Sequence, residues 1–260
     1  MGGRTLSVSP IEARPILDVV DLTKSFGGYT AVNGVSMRVA KGEVRAVIGP
    51  NGAGKTTLFS LLSGYLKPTR GQVVLDGVPI AKKPSHLIAR LGVSRAFQTT
   101  NIFPNFSVLD NVLVSIFSYE KRSYQLWGKQ DKMILERAEY LLGLVNLQHL
   151  RHVPASTLAH GDQRALEIAI ALGGSPKLLL LDEPTAGMSP FETQETIRLL
   201  EQIVKEQALT VVLSEHDMDV VFGLAQRITV MEAGRVLAEG TPDEVRNNPD
   251  VIRAYLGEPQ

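Results

Sequence analysis

The spacing of apolar residues changes several times along the chain, and each change marks an element. Residues 17–22 and 31–39 are rich in valine and alternate loosely with polar positions, the pattern of strands at an antiparallel edge. Apart from Arg45, residues 44–48 form a short apolar run, as in a buried strand. Residues 73–75 and 78–80 flank Asp76-Gly77, a hairpin-turn signal, and Pro79 assigns the second segment to a sheet edge. After residues 93–97 the period becomes helical over 107–118 and 131–144, where Met133, Leu141 and Leu144 recur beside Ile134 and Ala138 until Pro154 closes the stretch. Strand and helix then alternate: residues 178–181, a helix carrying Ile197, Leu200, Ile203 and Val204, and residues 211–213. Thr241-Pro242-Asp243-Glu244 spells a capping box with proline at the first helical position, and Asn248-Pro249 opens a last helix that Gly257 can end.

This order predicts an α/β fold, a mainly parallel sheet with an antiparallel β edge and helices on both faces. An α-helical subdomain, approximately residues 99–172, is expected as an insertion in a single domain spanning 16–257. The polar residues 1–15 are expected to be a flexible lead. A length of 260 residues with 44% apolar content is enough for a full core. Lys plus Arg and Asp plus Glu both number 27, so no electrostatic footprint points to nucleic acid, and none is expected as a partner. The absence of cysteine excludes disulfides and thiolate metal sites from this sequence and suits a reducing cytoplasm. No run of 18 apolar residues occurs, so no segment here is expected to span a membrane. His149 and His152 are spaced like half a metal site, without a cysteine or further acid beside them, and read as ordinary surface residues.

The chemistry begins where residues 44–48 end. Gly49-Pro50-Asn51-Gly52-Ala53-Gly54-Lys55-Thr56-Thr57 fills every position of a G-x-x-x-x-G-K-[ST] phosphate loop, between a buried strand and the start of a helix. Glycines let the backbone curl around phosphates and aim N–H groups at them, and the helix N-terminus adds positive potential. Lys55 is placed to reach the β- and γ-phosphates, and the Thr56 hydroxyl to hold Mg²⁺. A nucleoside triphosphate and Mg²⁺ are therefore the expected ligands of a P-loop NTPase core. Four leucines at 178–181 end in Asp182-Glu183-Pro184, so a buried strand delivers two carboxylates at its C-terminal end. Asp182 belongs on the Mg²⁺ shell there, and Glu183 is free to polarise a water for attack on the γ-phosphate.

Further strings sharpen the assignment. Leu158-Ala159-His160-Gly161-Asp162-Gln163 precedes a helical run and the acidic pair, and His216 follows the strand at 211–213. Together these residues resemble the ATP-binding cassette (ABC) transporter family over about residues 16–257, with the motifs in family order. By that resemblance residues 158–163 are the signature motif, Gln98 is the Q-loop glutamine that contacts Mg²⁺ or the attacking water, residues 186–190 are the D-loop, and His216 is the switch histidine. Phe26 would stack on adenine. The signature departs from Leu-Ser-Gly-Gly-Gln, with Ala159 for the serine and His160 for the first glycine, while Gly161 is kept. Ser189 stands where the D-loop has aspartate.

The resemblance implies a partner, because the signature completes the other subunit's site: a second cassette, identical or homologous, forming a two-ATP sandwich. It also implies two membrane permease subunits, contacted through the region around 98–127, and indirectly a solute-binding protein. Such a subunit lies peripherally on the cytoplasmic face of the inner membrane. Residues 97–127 hold seven of the chain's fifteen aromatics, suited either to anchoring a partner helix or to packing the insertion's own core. Arg95-Ala96-Phe97-Gln98, Glu215-His216-Asp217-Met218 and the ending at 247–257 are similar to ATPase subunits of bacterial branched-chain amino acid importers. Related cassettes for urea, amides or lipids share the pattern. A soluble cassette ATPase energising a non-transport process is the alternative outside transport.

Overall fold

The four leucines ahead of Asp182 show how the core is layered. A computed structural model describes residues 14–96, 102–119 and 132–256. Leu178 and Leu180 pack into one apolar cluster, and Leu179 and Leu181 into another. A strand with both faces buried needs apolar side chains at every position, which is why the run is continuous. Each of these side chains is essentially inaccessible, worth on the order of 1.5–3 kcal/mol of burial.

The strands form two sheets. β3 (Val44–Ile48), β6 (Val93–Ala96), β7 (Leu178–Asp182), β8 (Thr210–Ser214) and β9 (Arg227–Glu232) run parallel, and β10 (Arg235–Gly240) lies antiparallel at the margin, in the order β10-β9-β3-β8-β7-β6. The expected antiparallel segments are more than a margin of this sheet. β1 (Leu17–Phe26), β2 (Tyr29–Val39), β4 (Arg70–Leu75) and β5 (Val78–Pro79) make a separate sheet in the order β2-β1-β4-β5. Its Asp76-Gly77 hairpin and the edge position of Pro79 are as the sequence predicts.

Helices α1 (Lys55–Leu62) and α2 (Ser85–Arg90) lie between the two sheets in one cluster, through Leu58, Phe59, Leu61, Leu62 and Ile88. On the other face of the parallel sheet the second cluster joins α3 (Val108–Tyr119), α4 (Lys132–Leu144), α5 (His160–Gly173), α6 (Pro190–Gln207) and α7 (Met218–Leu224). The described helices α3, α4 and α5 fall between β6 and β7, and their apolar faces share one continuous cluster with the sheet. α8 (Pro242–Arg246) and α9 (Pro249–Leu256) follow β10. Among the described residues no helix is long and apolar enough to cross a membrane.

Two ties fix the sheets to each other. Arg45 on β3 is 1% exposed and donates to Glu43 at 2.6 Å, Glu239 at 2.8 Å, the Thr229 hydroxyl at 3.1 Å and the Arg38 carbonyl on β2 at 2.9 Å. A buried guanidinium persists because its donors are satisfied by acceptors in a matched fan. The second tie is the β9–β10 turn. Gly234 N–H donates to the Ala53 carbonyl at 3.1 Å, and the Asn33 N–H on β2 donates to the Gly234 carbonyl at 2.7 Å. Gly234 has φ +79°, and a Cβ there would lie 2.8 Å from the Ala31 carbonyl oxygen, so a side chain is excluded by both conformation and contact.

Capping boxes start α6 and α8. In each, the Ser189 or Thr241 hydroxyl accepts the N–H of Glu192 or Glu244, and the glutamate accepts the N–H of the capping residue, at 2.8 and 2.7 Å. These bonds hold both carboxyl groups below the usual glutamate range.

A carboxyl with a lowered folded value contributes stability above its unfolded value, near pH 4.3, and loses it as pH falls through the folded value. The Glu192→Ala/Glu244→Ala double variant should therefore be less stable than the parent at pH 7, with the gap in urea midpoints narrowing on acidification toward pH 3; a gap independent of pH would contradict this. Arg45→Ala strands the buried Glu43 carboxylate and should cost about 3–5 kcal/mol in urea unfolding. A loss under 1 kcal/mol would show that the hub does not hold the sheets.

Candidate nucleotide site

The phosphate loop occupies residues 49–57 between β3 and α1, and Lys55 is the first residue of the helix. Gly54, at φ +100°, caps α1 in the left-handed region, and a Cβ there would collide with the Ala31 carbonyl oxygen of β2. The loop thus presses against both the antiparallel sheet and the β9–β10 turn. Residues 51–57, Tyr29, Ala31, Glu183 and His216 surround an open cleft of about 230 Å³. Gly49 lies behind it against the Met231 carbonyl.

Lys55 is buried, and its Nζ donates to the carbonyls of Gly49 at 2.6 Å and Pro50 at 3.2 Å. Burial pushes its ammonium below the ordinary lysine range, while the charges of Glu183 and Asp182 oppose that shift. The loop therefore carries a desolvated cation at its centre. Thr56 is exposed at the first turn of α1.

The ends of β7 and β8 supply the acids and the imidazole. Asp182 is 6% exposed; its Oδ1 accepts from the Ser214 hydroxyl at 2.7 Å and its Oδ2 from Arg95 at 2.7 Å. Glu183 has φ +53°, a left-handed conformation that a residue with a long side chain adopts rarely, and its N–H donates to the Ser214 carbonyl at 3.0 Å. Its Oε1 lies 2.7 Å from His216 Nε2 at the mouth of the cleft. Asp217 accepts the N–H groups of Asp219 and Val220 and caps α7, which leaves the neighbouring imidazole to the site.

Two residues here had no assigned part. Glu215, 4% exposed, accepts from the Thr185 N–H and hydroxyl at 2.9 and 2.5 Å through one oxygen and from the His216 N–H at 3.0 Å through the other. It ties the exit of β7 to the exit of β8 and so sets where Glu183 and His216 meet. Arg95, besides binding Asp182, reaches the hydroxyls of Ser60 on α1 and of Ser63 at its C-cap, at 3.2 and 3.4 Å. Both occur in strings that the sequence singles out, and an acid next to the histidine was the available signal for Glu215.

Of the two aromatics that flank the Gly27-Gly28 turn, Tyr29 lines this cleft and Phe26 stands opposite it on β1. Gln98 lies outside the described residues. Ala159, His160 and Gly161 form the start of α5, with Ala159 capping it without a side-chain bond. Ala159 and Gly161 line a different cleft, of about 300 Å³, shared with Phe191, Glu192 and Glu195 of α6. The two clefts have no residue in common, so within one chain these signature residues stay apart from the phosphate loop. Ser189 caps α6, a task that aspartate performs equally well, which gives the replacement a structural reason.

Comparison with known proteins agrees with this geometry. Residues 32–186 match the ABC transporter family, and residues 235–259 match the branched-chain amino acid ATP-binding cassette transporter family. The chain is 43% identical over 253 residues to the high-affinity branched-chain amino acid transport ATP-binding protein BraF of Pseudomonas aeruginosa, covering 95% of this chain and 99% of that one. It is 42% identical over 254 residues to LivG of Escherichia coli K12, a protein of the same description, with the same coverage. Among solved structures, the ADP conformation of MJ1267, an ATP-binding cassette of an ABC transporter, superposes with a TM-score of 0.84 at 31% identity, covering 94% of this chain and 99% of that one. A dimeric post-hydrolysis state of the cassette MJ0796, bound to ADP and phosphate, superposes with a TM-score of 0.74 at 25% identity, covering 87% and 98%. With its phosphate loop, acidic strand end and histidine on this scaffold, the chain belongs to the ABC transporter family, as an ATP-hydrolysing cassette.

Proposed function

We propose that this chain is the cassette that energises uptake of branched-chain or related amino acids, working as one half of a cassette pair docked on two membrane permease subunits at the cytoplasmic face of the inner membrane. The cargo reading is supported by the names of the relatives and by the match of the C-terminal residues 235–259 to the branched-chain amino acid cassettes. The observation that carries the chemistry is the 2.7 Å pair of Glu183 and His216 at the mouth of the phosphate-loop cleft.

In this reading the N–H groups of residues 49–57 and the Lys55 ammonium take the triphosphate, the lysine exchanging its carbonyl partners for phosphate oxygens. Mg²⁺, when bound, would neutralise phosphate charge. The donor set fits it: the Thr56 hydroxyl and the Asp182 carboxylate are hard oxygen donors, each Asp182 oxygen keeps an acceptor position beyond its present bond, and Gln98 would add an amide oxygen. Glu183 accepts a proton from the attacking water as that oxygen bonds to the γ-phosphorus and the bond to the β–γ bridging oxygen breaks, leaving ADP and phosphate. His216 holds the Glu183 carboxylate in position and donates to the γ-phosphate.

The separation of the signature from the loop within one chain supports a site completed by a second cassette, identical or homologous, whose Ala159, His160 and Gly161 would face this chain's nucleotide through the α5 N-terminus. ATP then favours the closed pair and hydrolysis reopens it. A solute-binding protein would deliver cargo to the permeases on the far side.

His216→Ala should lower kcat about 100-fold or more while ATP affinity stays within about twofold. In cells deleted for the gene, uptake of radiolabelled leucine should fall, recover with the parent gene and fail to recover with His216→Ala. Unchanged leucine uptake in the deletion strain would contradict the cargo assignment.

A further inference from the structure

The carboxylate assigned to Mg²⁺ already has a cation against it. Arg95 Nη2 donates to Asp182 Oδ2 at 2.7 Å, and the two side chains are only 8% and 6% exposed. The register of the sheet makes this contact. Arg95 on β6 pairs with Leu180 on β7, two residues before Asp182, so Arg95 and Asp182 leave the same face of the sheet and the arginine reaches along it to the end of the neighbouring strand. On that face its Nη1 is held by the hydroxyls of Ser60 and Ser63 at 3.2 and 3.4 Å.

Neighbouring cations are engaged elsewhere. Lys55 donates to the carbonyls of Gly49 and Pro50. Arg164 lines a small cleft together with Asp182, and its charge is matched by Glu167 at 2.8 Å. Among the described residues Arg95 is the cation bonded to Asp182. A buried ion pair leaves little net negative charge at the carboxylate, and a fixed cation beside a metal ligand weakens its hold on a second cation. Nucleotide phosphates bring the negative charge that restores that hold.

We propose that Arg95 is a resident counter-ion that keeps Asp182 from taking up Mg²⁺ until a nucleotide is present, so that metal and triphosphate are taken together. This rests on the assignment of Asp182 to the metal. Arg95 acts through Asp182 and is a positioning residue. Its charge is what matters, so lysine should serve in its place, whereas glutamine keeps a donor for Asp182 and drops the charge.

The test is Mn²⁺ binding to the purified full chain at about pH 8, read from the electron paramagnetic resonance of the free ion, with and without the inert ATP analogue AMP-PNP. The parent without nucleotide should bind Mn²⁺ more weakly than the parent with AMP-PNP, by about tenfold or more. Without nucleotide, Arg95→Gln should bind Mn²⁺ about tenfold more tightly than the parent, Arg95→Lys should stay within about twofold of it, and adding Asp182→Asn to Arg95→Gln should remove the gain. A gain of affinity is not what a damaged fold produces. Unchanged or weaker binding by nucleotide-free Arg95→Gln would overturn the proposal. So would a nucleotide-free parent that binds Mn²⁺ as tightly as it does with AMP-PNP, a result that needs no variant to fold. If Asp182→Asn leaves Mn²⁺ affinity unchanged in the presence of AMP-PNP, the metal assignment itself fails, and this proposal with it.

Discussion

The carbonyl oxygen of Ala31 occupies space that a side chain at residue 54 would need, and a side chain at residue 234 would crowd it too. Two glycines from opposite ends of the chain thus converge on one backbone oxygen of β2. Through that contact the antiparallel sheet, the parallel sheet and the phosphate loop become one rigid unit. The hydrogen bonds from Gly234 to Ala53 and from Asn33 to Gly234 close the same junction. A loop held from both sides presents its N–H groups in a fixed arrangement before any nucleotide arrives, so less ordering entropy is lost on binding. The wall of the cleft that includes Tyr29 is fixed by the same contact.

Buried charge does the corresponding work around the acids. Arg95 joins Asp182 to α1, Ser214 joins Asp182 to β8, and Glu215 joins the exits of β7 and β8. Desolvating these ions is costly, and the hydrogen bonds that Asp182 and Glu215 accept offset it. The consequence is geometric: Glu183 and His216, just past the ends of two separate strands, meet at 2.7 Å beside a desolvated lysine. The left-handed backbone at Glu183 is retained because the bonds on either side of it over-determine the turn.

Much of this was legible in the residues. Apolar runs, broken in β3 by Arg45 alone, announce β3, β7 and β8 because both of their faces are buried, and the glycine and lysine spacing of the phosphate loop follows directly from what phosphates require. Thr241-Pro242-Asp243-Glu244 caps its helix as read. Other features depend on distant partners and leave no local trace. Arg45 meets Thr229 and Glu239 across the fold, and a lone arginine in a strand gives no hint of that. The β9–β10 hairpin turns at Ala233-Gly234, with Ala233 at φ +45° where Asn or Asp is the usual signal, so the local residues carry only a weak turn signature. α2 is too short for its period to show.

The central claim is that a preformed phosphate loop binds ATP and that Glu183 takes the proton from the attacking water. Glu183→Gln preserves shape and the contact with His216 while removing the proton acceptor, so single-turnover hydrolysis by this variant at saturating ATP tests the claim most directly. The account predicts parent-like ATP binding with hydrolysis slowed about 100-fold or more. Hydrolysis at the parent rate would contradict it and place the proton acceptor elsewhere.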